Sequence, residues 1–195
     1  FLWIIFIKII SALRFISTKR IYIRMVYMNM FNNENIFNKK LAPAYTSIAG
    51  GIRHIAFSPS VRSKLERLRR LVKKAYEMVH ELSVYYHTTD METTYGMLVR
   101  IGYLAEEIED LIDDILKERM PPGEASETLR WYLNRINYEV FMNINNDVDA
   151  FIFDMEHWDE YNIDYYEFER ELFKFIDGTE RALKEVENSL NTILR

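Results

Sequence analysis

The chain has 195 residues, of which 49% are hydrophobic, a formal net charge of −5 and no cysteine. A chain of this length can build one good core with an appendage, but it cannot comfortably build two full domains. The absence of cysteine excludes disulfide bonds, thiolate metal sites and cysteine nucleophiles. With only six glycines and four prolines, long stretches pass without a helix-breaking residue, so we predict a mostly helical protein.

Charge is distributed very unevenly along the chain. Residues 1–74 contain fifteen lysines or arginines and two acids, whereas residues 75–195 contain ten basic residues and twenty-eight acids. The two parts therefore carry formal charges of +13 and −18. This asymmetry indicates that one end of the protein meets a polyanion, or that the two ends meet in neighbouring copies.

Residues 1–57 are predicted to form a basic and apolar N-terminal arm. Residues 1–16 are nearly all apolar, but Lys8 and Arg14 interrupt them and they are shorter than the roughly 20 residues that cross a bilayer. They also lack the basic start and the cleavage site of a signal peptide. Basic residues up to Phe31 lie on every side of a helical wheel, so we expect a partner subunit, a lipid interface or nucleic acid to enclose this segment.

Residues 58–86 form the element around which the chain is organised. Ser58 followed by Pro59 is typical of a helix start, because serine can cap a free backbone N–H and proline needs no donor there. One side of this helix is predicted to face the core, with Leu65, Leu68, Leu71, Val72, Ala75, Tyr76, Val79 and Leu82. The opposite side is almost unmixed in charge and carries Arg62, Arg67, Arg69, Arg70, Lys73 and Lys74. Like charges repel one another on a helix, so this side predicts an anionic partner; the alternative interpretation is a solubilising surface.

Three further helices are predicted after the first. Thr89 to Glu92 has the form of a capping box before a second helix, which ends at Pro121-Pro122-Gly123 and has an acidic outer face. A third helix is predicted from near Glu127 to about Trp158, bent midway by Asn143, Asn145 and Asn146. A fourth opens at Asp164 to Glu167. The predicted fold is all-α, an up-and-down four-helix bundle at 58–195 with the long basic and apolar arm at 1–57.

Three groups of residues in the acidic half are candidates for a functional site. Glu77-x-x-His80 and Asp154-x-x-His157 match the spacing of di-iron bundles, but Glu77 lies roughly 170° from the apolar side of its helix. Glu106-Glu107-x-x-Asp110 is similar to the paired acids of helical nucleotide pyrophosphohydrolases, without a second acidic pair at a comparable distance. Phosphate would be repelled from this half, so its aromatic residues are expected to serve core and subunit packing: Trp131, Tyr132, Tyr138, Phe151, Phe153, Trp158, Tyr161, Tyr165 and Tyr166. We predict no catalytic residue, metal or cofactor.

A basic, partly apolar arm that leads into an Arg/Lys-faced helix and then a compact acidic bundle resembles the layout of the major coat proteins of archaeal filamentous viruses. The likeness is architectural and involves no diagnostic motif. Its residues are Pro43 and the predicted nucleic-acid contacts Lys39, Lys40, Arg53, Arg62, Arg67, Arg69, Arg70, Lys73 and Lys74. The resemblance implies a virion protein, not an enzyme, that binds double-stranded DNA non-specifically through phosphates.

The same resemblance implies assembly with other subunits. The expected partners are further copies of the chain or a related coat subunit, and a lipid envelope is a candidate partner of residues 1–31. Two alternatives remain open at this point. One is a helical RNA-binding subunit of a ribonucleoprotein complex, which would use the same basic side. The other is an all-α, magnesium-dependent nucleotide pyrophosphohydrolase, which would use the acids at 106–110.

Overall fold

Helices account for all regular secondary structure in the part of the chain that the computed structural model describes. The described residues are Ala49, Ile52, 57–86, 90–161 and 163–195, and they belong to the unit Ala44–Arg195. They form α1 (Pro59–Tyr85), α2 (Met91–Lys117), α3 (Glu124–Ile136), a π-helical turn (Asn137–Phe141), α4 (Met142–Glu156), α5 (Trp158–Tyr161) and α6 (Tyr165–Ile193). An all-α protein is confirmed, whereas the predicted arm, 1–57, lies almost entirely outside the described residues.

Side-chain caps explain where three of the long helices begin. The hydroxyl oxygen of Ser58 accepts a hydrogen bond from the Val61 N–H at 3.2 Å, as predicted for α1. The Asp164 carboxylate accepts from the Tyr166 N–H at 2.9 Å at the start of α6. The capping-box prediction, which makes Thr89 the cap of α2, is wrong. The cap is Asp90, whose carboxylate accepts a hydrogen bond from the Thr93 N–H at 2.7 Å. Thr89 lies outside the described residues.

The predicted third helix changes its geometry at Asn137–Phe141, before the bend that was predicted from Asn143, Asn145 and Asn146. α3 begins at Glu124, after Gly123 adopts a φ of 145° that is open to glycine alone, and it runs directly into the π-helical turn at Asn137–Phe141. This turn lies just before the asparagines, and the Asn143 amide donates to the Glu139 carbonyl at 2.9 Å. α4 then ends at Glu156 rather than near Trp158.

α1 lies between α2 and α6 and runs antiparallel to both. Its buried residues alternate in steps of four and three, which is typical of helices that pack along a narrow seam: Val61, Leu65, Leu68, Val72, Ala75, Val79 and Leu82. Ser60 contacts Glu118 and Arg67 contacts Glu107. The later residue of α1 thus meets the earlier residue of α2, so the two helices run in opposite directions. Tyr86 near the end of α1 meets Phe173 near the start of α6.

The end of α2 is held by polar groups from two neighbouring helices. The Glu118 carboxylate accepts from Lys64 at 2.8 Å and from the Ser60 hydroxyl at 2.9 Å, and hydrogen bonding from Lys64 lowers the pKa of Glu118. The guanidinium of Arg130 on α3 donates to the carbonyls of Leu116 and Glu118. Arg130 thereby satisfies two of the carbonyl groups that a helix leaves free at its C-terminus.

α2 packs on its other side against α4, and the two backbones come close at Gly102. A Cβ atom added to Gly102 would lie 3.1 Å from Cγ1 of Val148 on α4. The Tyr95 hydroxyl donates to Glu156 at 2.8 Å, so these two helices are also antiparallel. α4 in turn reaches α6, where the rings of Phe151 and Phe168 lie 5.5 Å apart.

Gly102→Val is expected to lower the free energy of unfolding by about 1–3 kcal/mol, because the added methyl groups must displace Val148 or separate the helices. Gly96 is the matched control, since a Cβ atom there meets nothing within 4 Å. Gly96→Ala should raise stability by about 0.5–1 kcal/mol through helix propensity alone. Urea denaturation followed by circular dichroism measures both, and equal shifts would contradict close packing at Gly102.

Candidate nucleic-acid interface

Six of the nine predicted nucleic-acid contacts lie on α1, and we call their surface the basic face: Arg62, Arg67, Arg69, Arg70, Lys73 and Lys74. Five of these side chains are exposed, and Arg69 is half-buried beside α6. The face lies opposite the buried seam, as the helical wheel predicts. The remaining three predicted contacts, Lys39, Lys40 and Arg53, lie outside the described residues.

The edges of the basic face are paired with neighbouring helices. Arg67 forms an ion pair with Glu107 of α2 at 2.8 Å, and Arg69 donates to the side-chain oxygen of Asn191 of α6 at 3.3 Å. Arg62 reaches the carbonyl of Leu194 at 3.4 Å. These contacts exist because α2 and α6 flank α1 on both sides.

Two further pairs form within α1 and are looser. Arg62 lies 3.5 Å from Glu66, and Lys73 lies 3.6 Å from Glu77, each one turn away. The expectation of an almost unmixed positive face is therefore wrong in degree, because Glu66, Glu77 and Glu107 offset part of its charge. Exposed pairs of this kind contribute only about 0–1 kcal/mol, so they open readily when a stronger anion is offered.

Arg70 and Lys74 form the centre of the basic face. They lie one turn apart, both are exposed, and neither makes an ion pair or hydrogen bond with another described residue. Two neighbouring cations that repel each other and form no ion pair with a described side chain are suited to an external anion. Arginine offers a planar fork of donors and lysine a point charge, which are the groups that contact phosphates.

The residues of the two candidate di-iron motifs contact other groups of the protein. Glu77 faces outward with Lys73, while His80 lies 2.8 Å from Glu180 of α6 and stacks on Tyr76. His157 bonds to the carbonyl of Phe153 and stacks on its ring. Within the described ranges, no group of three or more histidines and carboxylates is arranged to hold a metal ion.

The acids that favoured a pyrophosphohydrolase lie on an outer surface. Glu106, Glu107 and Asp110 are exposed on α2, and Glu107 is turned toward Arg67 of α1. Consecutive positions on a helix diverge by about 100°, so Glu106 and Glu107 do not converge on one point. The arrangement offers a charged surface rather than a pocket of converging oxygen ligands.

Comparison of the chain with protein-family models, with curated proteins and with solved structures gives no match. Function is therefore inferred from the charges and contacts of the chain itself. Among the described helices, none combines the length and the apolar character that crossing a bilayer requires.

Asp147 of α4 is a titratable group that sequence reasoning missed. Its carboxyl group is partly buried, and burial raises its pKa to about 7. No cation or hydrogen-bond donor among the described residues offsets that burial. The sequence shows only an acid in a polar stretch, and no spacing distinguishes it from the exposed Asp149 two residues later.

Asp147→Asn is expected to stabilise the protein increasingly as pH rises from about 4 to about 7. The folded state binds this proton more tightly than the unfolded chain, whose aspartate titrates near 3.9, so wild-type stability falls across that window. At pH 8 the variant should be more stable by about 1–3 kcal/mol, and below pH 4 the two should agree. Thermal denaturation measures this, with Asp149→Asn as control. A gap that does not depend on pH would contradict the buried carboxyl group.

Proposed function

We propose that this protein is a structural nucleic-acid-packaging subunit, a virion coat protein that binds double-stranded DNA non-specifically through phosphate contacts and self-assembles. The observation that carries the proposal is the exposed centre of the basic face, where Arg70 and Lys74 have no acidic partner among the described residues. Lys39, Lys40 and Arg53 extend the proposed contact into the arm.

The dimensions of the basic face support contact with an extended polyanion. Arg62 and Lys74 are twelve residues apart, which is roughly 18 Å along a helix. Duplex DNA carries about one charge per 1.7 Å of its axis, so a face of this length meets several phosphates at once. A small anionic ligand would need converging groups, whereas these cations lie along a rod.

The rest of the subunit is proposed to face away from DNA. We propose that α1, α2, α4 and α6 belong to an up-and-down four-helix bundle whose acidic helices form the outer wall of a filament, with the arm at 1–57 extending from it. Repulsion between the acids of α2 and phosphate would orient each subunit with α1 inward. A related coat subunit could occupy alternate positions, and a lipid envelope could contact residues 1–31.

Binding of the full-length protein to duplex DNA is expected to weaken steeply with salt. If about six phosphates are contacted, a plot of log affinity against log salt concentration should have a slope near −5, since each contact contributes about −0.9. Fluorescence anisotropy on two unrelated duplexes measures the slope and tests sequence independence. A slope near zero, or a clear preference for RNA over duplex DNA, would overturn the proposal.

The double variant Arg70→Ala with Lys74→Ala should reduce the magnitude of that slope by about 2, because two phosphate contacts are lost. Lys117 and Arg170 are exposed cations on α2 and α6, so Lys117→Ala with Arg170→Ala changes the net charge equally away from the basic face. This control should leave the slope nearly unchanged. Equal effects of the two double variants would show that binding does not use the basic face.

Glu107→Gln should strengthen DNA binding, because it releases Arg67 from its ion pair at the edge of the basic face. We expect affinity at low salt to rise about 2–10-fold and the slope to steepen by up to about 1. Asp177→Asn is the matched control, since it releases Arg181 on α6 in the same way. If both variants bind DNA equally well, general charge rather than Arg67 is responsible.

A further inference from the structure

An exposed apolar surface runs along the outer side of α3, the π-helical turn and α4. Trp131 is 48% exposed, Tyr138 70% and Met142 39%. Tyr138 lies seven residues after Trp131, and Met142 lies four residues after Tyr138, so the three follow one side of the helical segment. We call these three residues the aromatic face. The sequence predicts core or subunit packing for Trp131 and Tyr138, and their exposure excludes the core of the described residues.

Trp131 of the aromatic face is held in place by contacts within its own helix. The guanidinium group of Arg135 lies 5.0 Å from the ring centroid of Trp131 and pairs with Glu139 at 2.9 Å. Arg135 and Glu139 are only partly exposed, so their pair is shielded from water better than those of α1. A row of large apolar side chains at the surface is typical of a docking site.

Acids of α2 border the aromatic face. Asn145, one turn beyond Met142, donates a hydrogen bond to the carboxylate of Glu109 on α2, so the two helices touch there. Glu106 and Asp113 are exposed and lie on the same side of α2 as Glu109, three residues before it and four after it. The residues of α2 and of 124–156 include fourteen acids and four bases. A matching partner is therefore both apolar and basic.

The N-terminal segment of the chain has that composition. Of residues 1–31, twenty-two are apolar and five are basic, and none is acidic. The segment lies outside the described residues, and its 31 residues would span roughly 46 Å even as a helix, well beyond the roughly 16 Å from Trp131 to Met142. The basic face of α1 in another copy has the charge, but the exposed apolar side chains of that helix, Val84 and Tyr85, lie ten and eleven residues beyond Lys74 rather than among its cations. Two aromatic faces placed together would bring like charges into contact.

We propose that residues 1–31 of one copy dock on the aromatic face of a neighbouring copy. This inference rests on the self-assembly in the proposed function and names the surface that receives the arm. Donor and acceptor surfaces differ, so each copy can receive one arm and donate its own, which lets the contact repeat from subunit to subunit. The basic face of α1 is not used, which leaves it available for phosphate.

The first test measures self-association of the full-length chain without DNA by sedimentation velocity. Tyr138→Ser with Met142→Ser should weaken association about 10-fold or more, because large apolar anchors dominate interface energies. Tyr165 and Tyr166 are exposed aromatic residues on α6, so Tyr165→Ser with Tyr166→Ser is the matched control and should change association less than about 2-fold. Circular dichroism verifies that both double variants are folded. A monomeric wild-type chain, or equal effects of the two pairs, would overturn the proposal.

The second test identifies the occupant by reversing charges. Glu106→Lys with Asp113→Lys should weaken association, Arg20→Glu with Arg24→Glu should weaken it as well, and a mixture of the two variants should associate again. If Arg70→Glu with Lys74→Glu weakens association and Arg20→Glu with Arg24→Glu does not, the occupant is α1 and the docking of residues 1–31 is overturned. The salt slope of DNA binding, measured on the same proteins, is a separate readout. If docking fails while the salt slope of DNA binding is steep, only this inference is overturned. If docking is intact while that slope is flat, only DNA packaging is overturned.

Discussion

The packing of α1 between α2 and α6 is the constraint that decides which cations of α1 are accessible. Its seam of buried residues, from Val61 to Leu82, must face both neighbours, so the sides of the helix are occupied and only one direction remains open. Cations at the sides meet groups of those neighbours, as Arg67 meets Glu107. Arg70 and Lys74 lie opposite the seam, where no described helix reaches them. Position around the helix axis thus decides which cations are available to an external anion.

The separation of charge between helices gives the protein two surfaces of different chemistry. The basic face lies on α1, and the exposed acids of α2 lie between α1 and α4. Glu107 contacts α1 and Glu109 contacts Asn145 of α4, so the acidic surface borders both the basic face and the aromatic face. A subunit built in this way can present cations to a polyanion and, on another side, an apolar and acidic surface to a basic segment. The two proposals therefore use different residues and are compatible in one assembly.

The acids of α2 that the sequence offers as magnesium ligands lie on the surface of the described helices. A magnesium site needs several oxygen ligands that converge on one point, and catalysis needs a titratable group next to a place where a substrate can sit. Glu106 and Glu107 diverge around α2, and Glu118 is engaged with Lys64 and Ser60 in holding helix ends together. Glu107 and Glu118 thus make structural contacts with α1.

The sequence by itself determined the helical class, the starts of α1 and α6 and the seam of α1, because caps and apolar periodicity act within one element. It also located the cations that lie opposite that seam. Only the tertiary structure decided that a π-helical turn separates α3 from α4 and that Glu107 pairs with Arg67. It likewise decided that Asp147 is partly buried while Asp149 is exposed. These features depend on which helices become neighbours, and contacts between residues distant in the chain leave no periodic signal in the sequence.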